Sequence, residues 1–111
     1  KTISHVKREL VHKAMQKFVE HLNALDDKAY GSIVGSLLGQ IDEKEGTIEV
    51  PKGKAGLFAS SAFKATESES VGGGFRFKNE HVFIDNTFEN LVFSQFGAEL
   101  EIYFAEQLKL V

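Results

Sequence analysis

The sequence predicts an α+β domain: an N-terminal helix hairpin, a small mixed or antiparallel sheet of about four strands, and a long C-terminal helix packed on that sheet. Three observations carry this. Apolar residues recur at three- and four-residue steps in residues 2–25, in 26–41 and from Phe88 to Leu108, the period of helices with one buried face. Thr47–Val50, Phe75–Lys78 and Val82–Ile84 alternate between two kinds of side chain, as a strand with one covered face must. Gly72-Gly73-Gly74 interrupts regular structure just before the last two strands, where a turn needing positive φ is expected.

Taken in order, residues 2–25 form the first helix. Ile3, Val6, Leu10, Ala14, Phe18, Leu22 and Leu25 make one stripe, and Val11, Met15 and Val19 widen it. That face exceeds what one contact needs. The helix is expected to bury one side in the domain and to offer Ile3, Val6 and Leu10 as a candidate partner interface. Asp26-Asp27 suits a helix N-terminus, and Tyr30, Ile33, Val34, Leu37, Leu38 and Ile41 keep the helical period behind it. A tight connection then makes a helix hairpin.

Gly31, Gly35 and Gly39 recur every fourth residue on the second helix. Each costs up to about 1 kcal/mol relative to Ala in a helix interior, so a close approach of another backbone within the domain is expected there. Residues 42–46 are a charged turn, and Pro51 ends the strand Thr47–Val50. Lys52-Gly53-Lys54 leads into a short helix within 55–63, packed on the sheet through Leu57, Phe58, Ala62 and Phe63. Residues 64–70 are polar, an edge strand or a loop.

The last third organises the rest. Phe75 and Phe77 face one side of a strand, with Arg76 and Lys78 on the other. Asn86 fits a helix N-cap, with Glu89 reaching back in a capping box. Beyond it Phe88, Leu91, Val92, Phe96, Leu100, Tyr103, Phe104 and Leu108 make one broad apolar face. A continuous helix over 87–108 would be roughly 33 Å long, enough to span the domain.

At 111 residues the chain is one domain, 1–111, with a sufficient but not generous core. Ten Phe residues supply large rings worth roughly 1.5–3 kcal/mol each when fully buried. No cysteine is present, which excludes disulfides and thiolate chemistry. No run of about 18 apolar residues exists to span a bilayer. The pattern opens inside a helix, so residues 1–25 are expected to continue a helix truncated at its front.

Net charge is −3, unevenly placed: Lys1, Lys7, Arg8, Lys13 and Lys17 against Glu9 and Glu20 leave the first helix at +3. Without aromatics interleaved among the cations, a solvated face is expected there rather than a nucleic-acid site. The glycine run precedes a strand, not a helix, and so is no phosphate loop. Lys52 and Lys54 before a helix suggest an anion site but lack a motif. His5, His12, His21 and His81 do not stand three or four residues apart, as a helical metal pair requires. Ser60-Ser61 lacks the glycines of a nucleophile elbow. No catalytic residue, metal or cofactor is expected.

Gly72-Gly73-Gly74-Phe75, followed by Val82-Phe83-Ile84-Asp85-Asn86-Thr87-Phe88-Glu89 opening a closing helix, resembles the C-terminal domain of the E-type stalk protein of the V/A-type rotary ATPases. Its signature falls on Gly72, Gly73, Asp85, Asn86, Thr87, Phe88 and Glu89. The resemblance implies a non-catalytic peripheral-stalk protein, cytoplasmic and membrane-associated only through its complex. Its missing N-terminal helix would pair in a coiled coil with a small G- or H-type stalk subunit. This C-terminal domain would grip the catalytic head and resist rotor torque during proton- or sodium-coupled ATP synthesis or hydrolysis. The alternative is the related stalk protein of a flagellar or type III export ATPase.

Overall fold

The computed structural model describes residues 4–59 and 61–110. Its elements run α1 (His5–Asn23), α2 (Asp27–Gly39), β1 (Thr47–Val50), a 3-10 turn (Ala55–Phe58), β2 (Lys64–Glu67), β3 (Gly74–Lys78), β4 (Phe83–Thr87), α3 (Phe88–Asn90), a π turn (Leu91–Gln95) and α4 (Gly97–Gln107). The expected α+β arrangement is present, with an N-terminal helix pair, a four-stranded mixed sheet and a C-terminal helix.

The sheet order is β2-β1-β3-β4. β1 and β2 are parallel, and the other pairs antiparallel. Residues 64–67 are thus an edge strand. The parallel pair needs a crossover of about a dozen residues, which the segment holding the 3-10 turn provides. That segment is shorter in helix than expected: Phe58 is buried, while Ala62 is exposed.

Register fixes the chemistry of each face. Ala65, Ile48, Phe77 and Ile84 stand side by side on the inner face, and Thr66, Glu49, Arg76 and Asp85 on the outer. Ile48, Val50, Phe75 and Phe77 lose all their exposure to Tyr30 and Val34 of α2 and to Phe58. Across the outer face Arg76 Nε lies 3.3 Å from Glu49 Oε1.

A second core is purely helical. Val11, Met15 and Val19 of α1 meet Val92 and Ala105. α1 runs antiparallel to the C-terminal segment: Lys7 Nζ donates to the Leu110 carbonyl at 2.9 Å, and His12 Nε2 lies 2.9 Å from Glu101 Oε1. The tight connection is present, with Asp26 capping α2 through the Ala29 N–H at 2.8 Å. The paired helices nonetheless serve different cores. Only the end of α1, Leu22, with Leu25 of the connection, reaches the core that α2 covers.

Three expectations are overturned. First, Asn86 is not the cap. It is the penultimate residue of β4, buried beside Phe75. The cap is Thr87, whose Oγ1 accepts from the Asn90 N–H at 3.3 Å. Asp85 Oδ1 braces it, accepting from the Thr87 N–H at 3.0 Å and its hydroxyl at 2.7 Å. Asn86 is buried within the strand while Thr87 is held by Asp85 at the strand's end, so the start moves by one residue, and Glu89 is left exposed.

Second, the closing helix is not continuous. The Phe96 N–H reaches back five residues to the Leu91 carbonyl, at 2.8 Å. One extra residue in a turn rotates everything after it by about 100°. Phe96 and Tyr103, counted in phase from Phe88, therefore turn outward to 49% and 52% exposure. Gly97 and Ala105 turn inward.

Third, Gly31, Gly35 and Gly39 meet no neighbouring backbone: a Cβ on any of them would find nothing within 4 Å. The glycine turn, by contrast, is as expected. Gly74 has φ +76°, and a Cβ there would strike the Asn86 carbonyl.

α4 ends without glycine. The Lys109 and Leu110 N–H groups close on the Glu106 and Ala105 carbonyls at 3.1 and 2.8 Å, a Schellman closure with Lys109 in the left-handed region at φ 57°.

Candidate docking surfaces

The first surface is apolar. On α1 the buried centre is Val11, Met15 and Val19, the residues expected only to widen the stripe, whereas Val6 and Leu10 are 67% and 46% exposed. Ile3 lies outside the described residues. The C-terminal segment leaves the cleft beside α1 unfilled because the π turn has rotated its rings outward. The result is an open groove of about 410 Å³ lined by Phe18, Leu22, Ile33, Leu91, Leu100 and Tyr103. Among its described lining residues only Glu99 is charged. Phe18, Phe104 and Tyr103 form an edge-to-face chain with centroids 5.8 and 5.2 Å apart, so the apolar surface runs from α1 to α4. Lys7, Arg8, Lys13 and Lys17 are exposed on α1.

The second surface is polar and gathers the signature residues. Gly72, Gly73, Asp85, Thr87 and Glu89, with Asn23, Ser70 and Arg76, line a small cavity of about 160 Å³ where the end of α1 meets the outer face of the sheet. A Cβ on Gly73 would collide with the Asn23 amide and approach Phe88 within 2.9 Å, so glycine is required for α1 to close this corner. Phe88 points the other way, into the core. Asn86 takes no part in the cavity. Asn23 and Ser70 were missed by sequence reading, since nothing in their spacing links them to the signature.

Tyr30 ties the core to this corner. Its hydroxyl accepts from the Gly74 N–H at 2.8 Å and faces the Gly74 carbonyl at 3.4 Å. Its ring meets Phe88 edge-on at 5.4 Å. Burial pushes the phenol above its ordinary range, and the Gly74 hydrogen bond opposes this only in part.

The other candidates are occupied or dispersed. Lys52 pairs with Glu69 at 2.8 Å; Lys54 pairs with Asp27 at 3.4 Å and lies over the Tyr30 ring. Neither cation awaits an anion. His5 pairs with Glu9 and His12 with Glu101. Among the described residues no three His, Asp or Glu side chains gather as a metal site. Ser61 bonds locally to Phe63, and Ser60 lies outside the described residues. Among the described residues no helix is long and apolar enough to cross a membrane. No protein-family model matches the chain, and no curated protein matches it either. The resemblance to the rotary-ATPase stalk protein therefore rests on the residues themselves.

Proposed function

We propose that this domain is a non-catalytic docking module, the head-binding C-terminal domain of a peripheral stalk in a V/A-type rotary ATPase. The observation that carries the proposal is the apolar groove between α1, α2 and the C-terminal segment, continuous with Phe104 and bordered on α1 by exposed cations. An amphipathic helix fits such a groove through residues spaced i, i+3, i+4 and i+7. The basic outer side of α1 calls for acidic flanks on that helix. A helix of the small coiled-coil stalk protein meets this description, and Val6 and Leu10 extend the same contact along α1.

The stator task is mechanical. Torque is resisted by elements locked to one another, and three locks support the reading: the Tyr30–Gly74 bond, the Asp85–Thr87 brace and the α1–C-terminal core. A cytoplasmic location, with the membrane reached only through the complex, belongs to the same proposal.

The test is co-expression of the protein with a small heptad-rich G- or H-type stalk protein, followed by pull-down of head proteins from rotary and type III export ATPases. A heterodimer that retains the rotary head is expected, and Leu10→Asp with Phe18→Asp should abolish the heterodimer. A protein that stays monomeric beside that partner overturns the proposal; retention of the export ATPase alone replaces it with the related export stalk.

A further inference from the structure

α1 presents three neighbouring rows of residues spaced four apart, since four steps of about 100° return close to the same side of a helix. Val11, Met15 and Val19 form the buried row. Val6, Leu10, Ala14, Phe18 and Leu22 form the next. Its Phe18 and Leu22 line the apolar groove, and its Val6 and Leu10 stand exposed. Glu9, Lys13, Lys17 and His21 form the third row, and all four are exposed. A helix laid along the middle row therefore runs beside the third. Glu9 is met by His5 at 3.1 Å, which leaves this rim to Lys13 and Lys17. Neither lysine enters an ion pair among the described residues.

The opposite rim has the other sign. From Phe88 to Gln107 the chain carries Glu89, Glu99, Glu101 and Glu106 and no cation. Glu101 is engaged by His12. Glu99 is exposed and lines the groove with Leu100 and Tyr103. The third wall, α2 from Ala29 to Gly39, holds no charge. The groove is thus apolar along its floor, positive along α1 and negative along α4.

Charge complementarity decides the occupant. A helix acidic on both flanks would set one of them against Glu99, and a helix basic on both would set one against Lys13 and Lys17. Like charges brought face to face reject a partner that the apolar floor would accept. A second copy fits no better: α1 would bring its own Lys13 and Lys17 to the basic rim, and the C-terminal segment offers carboxylates alone.

We propose that the occupant is a charge-polarised amphipathic helix, acidic on the flank over α1 and basic on the flank over α4, and that Lys13, Lys17 and Glu99 admit it in one direction only. Reversing a helix exchanges its flanks, so two rims of opposite sign fix direction as well as rotation. This deepens the docking proposal and rests on it; what it adds is the sign of each flank and the direction of the partner.

The experiment is an anisotropy titration of the isolated chain with synthetic helices that share one leucine stripe. One carries Glu on one flank and Lys on the other, one carries Glu on both, and one carries Lys on both. The polarised helix is expected to bind several-fold more tightly than either of the others, exposed ion pairs being individually weak. Salt at about 1 M, where the screening length is ~3 Å, should remove the difference. Lys13→Glu with Lys17→Glu should turn the preference to the all-lysine helix, and adding Glu99→Lys should return it to the polarised helix with its direction reversed. A nitroxide on the N-terminus of that helix reads the direction, broadening amides near Leu10 in one protein and near Leu22 in the other. The substituted residues are all exposed, and an amide spectrum unchanged away from the rims shows that each variant is folded. Equal binding of the three helices, or a triple variant that does not regain the preference, overturns the charged rims and leaves the groove standing as a docking site. No binding of any helix by about 1 mM overturns the groove and its rims together. A wild-type chain that sediments as a dimer overturns the polarised helix in favour of a second copy.

Discussion

Replacing Tyr30 by Phe removes one oxygen from the interior and keeps the ring. The hydroxyl is the partner of the Gly74 N–H at 2.8 Å, and Tyr30 has no exposure. Water has no route to replace the lost acceptor, because Gly74 is buried at the start of β3. The orphaned N–H costs about 1–3 kcal/mol. The edge-on contact with Phe88 survives, so no cavity larger than an oxygen atom is left. With an unfolding entropy of ~2.1 cal/mol/K per residue, a 2 kcal/mol loss lowers the melting midpoint of this chain by roughly 8 °C. Thermal unfolding followed by circular dichroism gives the shift directly.

The same bond has a pH signature. Burial raises the phenol above 10.0, so the folded state holds its proton where the unfolded chain releases it. The contribution is complete below pH 10 and falls as pH rises past it, by up to about 1.4 kcal/mol per unit for one group, until the folded-state value is passed. Wild-type stability should therefore drop more steeply than that of Tyr30→Phe above pH 10, with lysine titration common to both. A midpoint within about 2 °C of wild type, which is under roughly 0.5 kcal/mol, together with parallel alkaline slopes would refute the assigned role.

Three further outcomes test the fold. Phe88→Ala should cost about 3–5 kcal/mol as a core truncation and Phe96→Ala under ~1 kcal/mol; equal losses in urea unfolding would show that the π turn is misplaced. Gly35→Ala should stabilise the isolated chain by about 0.5–1 kcal/mol, because the added methyl meets only solvent; destabilisation would reveal a hidden contact on that face of α2. Lys109→Gly should stabilise by about 1 kcal/mol by relieving a left-handed residue at the α4 terminus, measured as a rise in the urea midpoint without a change in its slope.

Which features could be read from sequence follows from the range of the interactions that set them. β1 occupies the expected residues, and β3 and β4 fall within one to three of theirs, because alternation is local and each strand has one covered face. α2 starts where expected, since Asp26 caps by a contact three residues long; α1 departs from the expected helix continuing through residues 1–25, because Ser4 is extended and caps a helix that begins at His5. Burial on α1 was misjudged because a wide apolar face does not say which third of it meets a partner. Only the position of Val92 and Ala105 selects Val11, Met15 and Val19. The C-terminal error has the same root. Phe88–Leu108 satisfies a 3.6-residue period on paper, yet the first part must serve the sheet and the second must serve α1, and no single straight face serves both. One wide turn resolves the conflict.

That turn also connects the fold to the proposed function. Had the helix run straight from Phe88, Phe96 and Tyr103 would have entered the interior and the cleft beside α1 would have been filled from within. Rotation by about 100° exchanges those rings for Gly97 and Ala105, whose small size lets α4 settle against α1 at the expense of leaving the aromatic side chains outside. An apolar groove is therefore the geometrical consequence of serving two cores with one segment. The polar corner arises in the same way: Asn23 is carried there by the length of α1, and Arg76 and Asp85 by strand register, and the bare backbone of Gly72-Gly73 lets the three approach. Deleting one residue from Leu91–Gln95 should restore a straight helix and close the groove, and it should abolish docking there while leaving the Tyr30–Gly74 bond and the sheet intact.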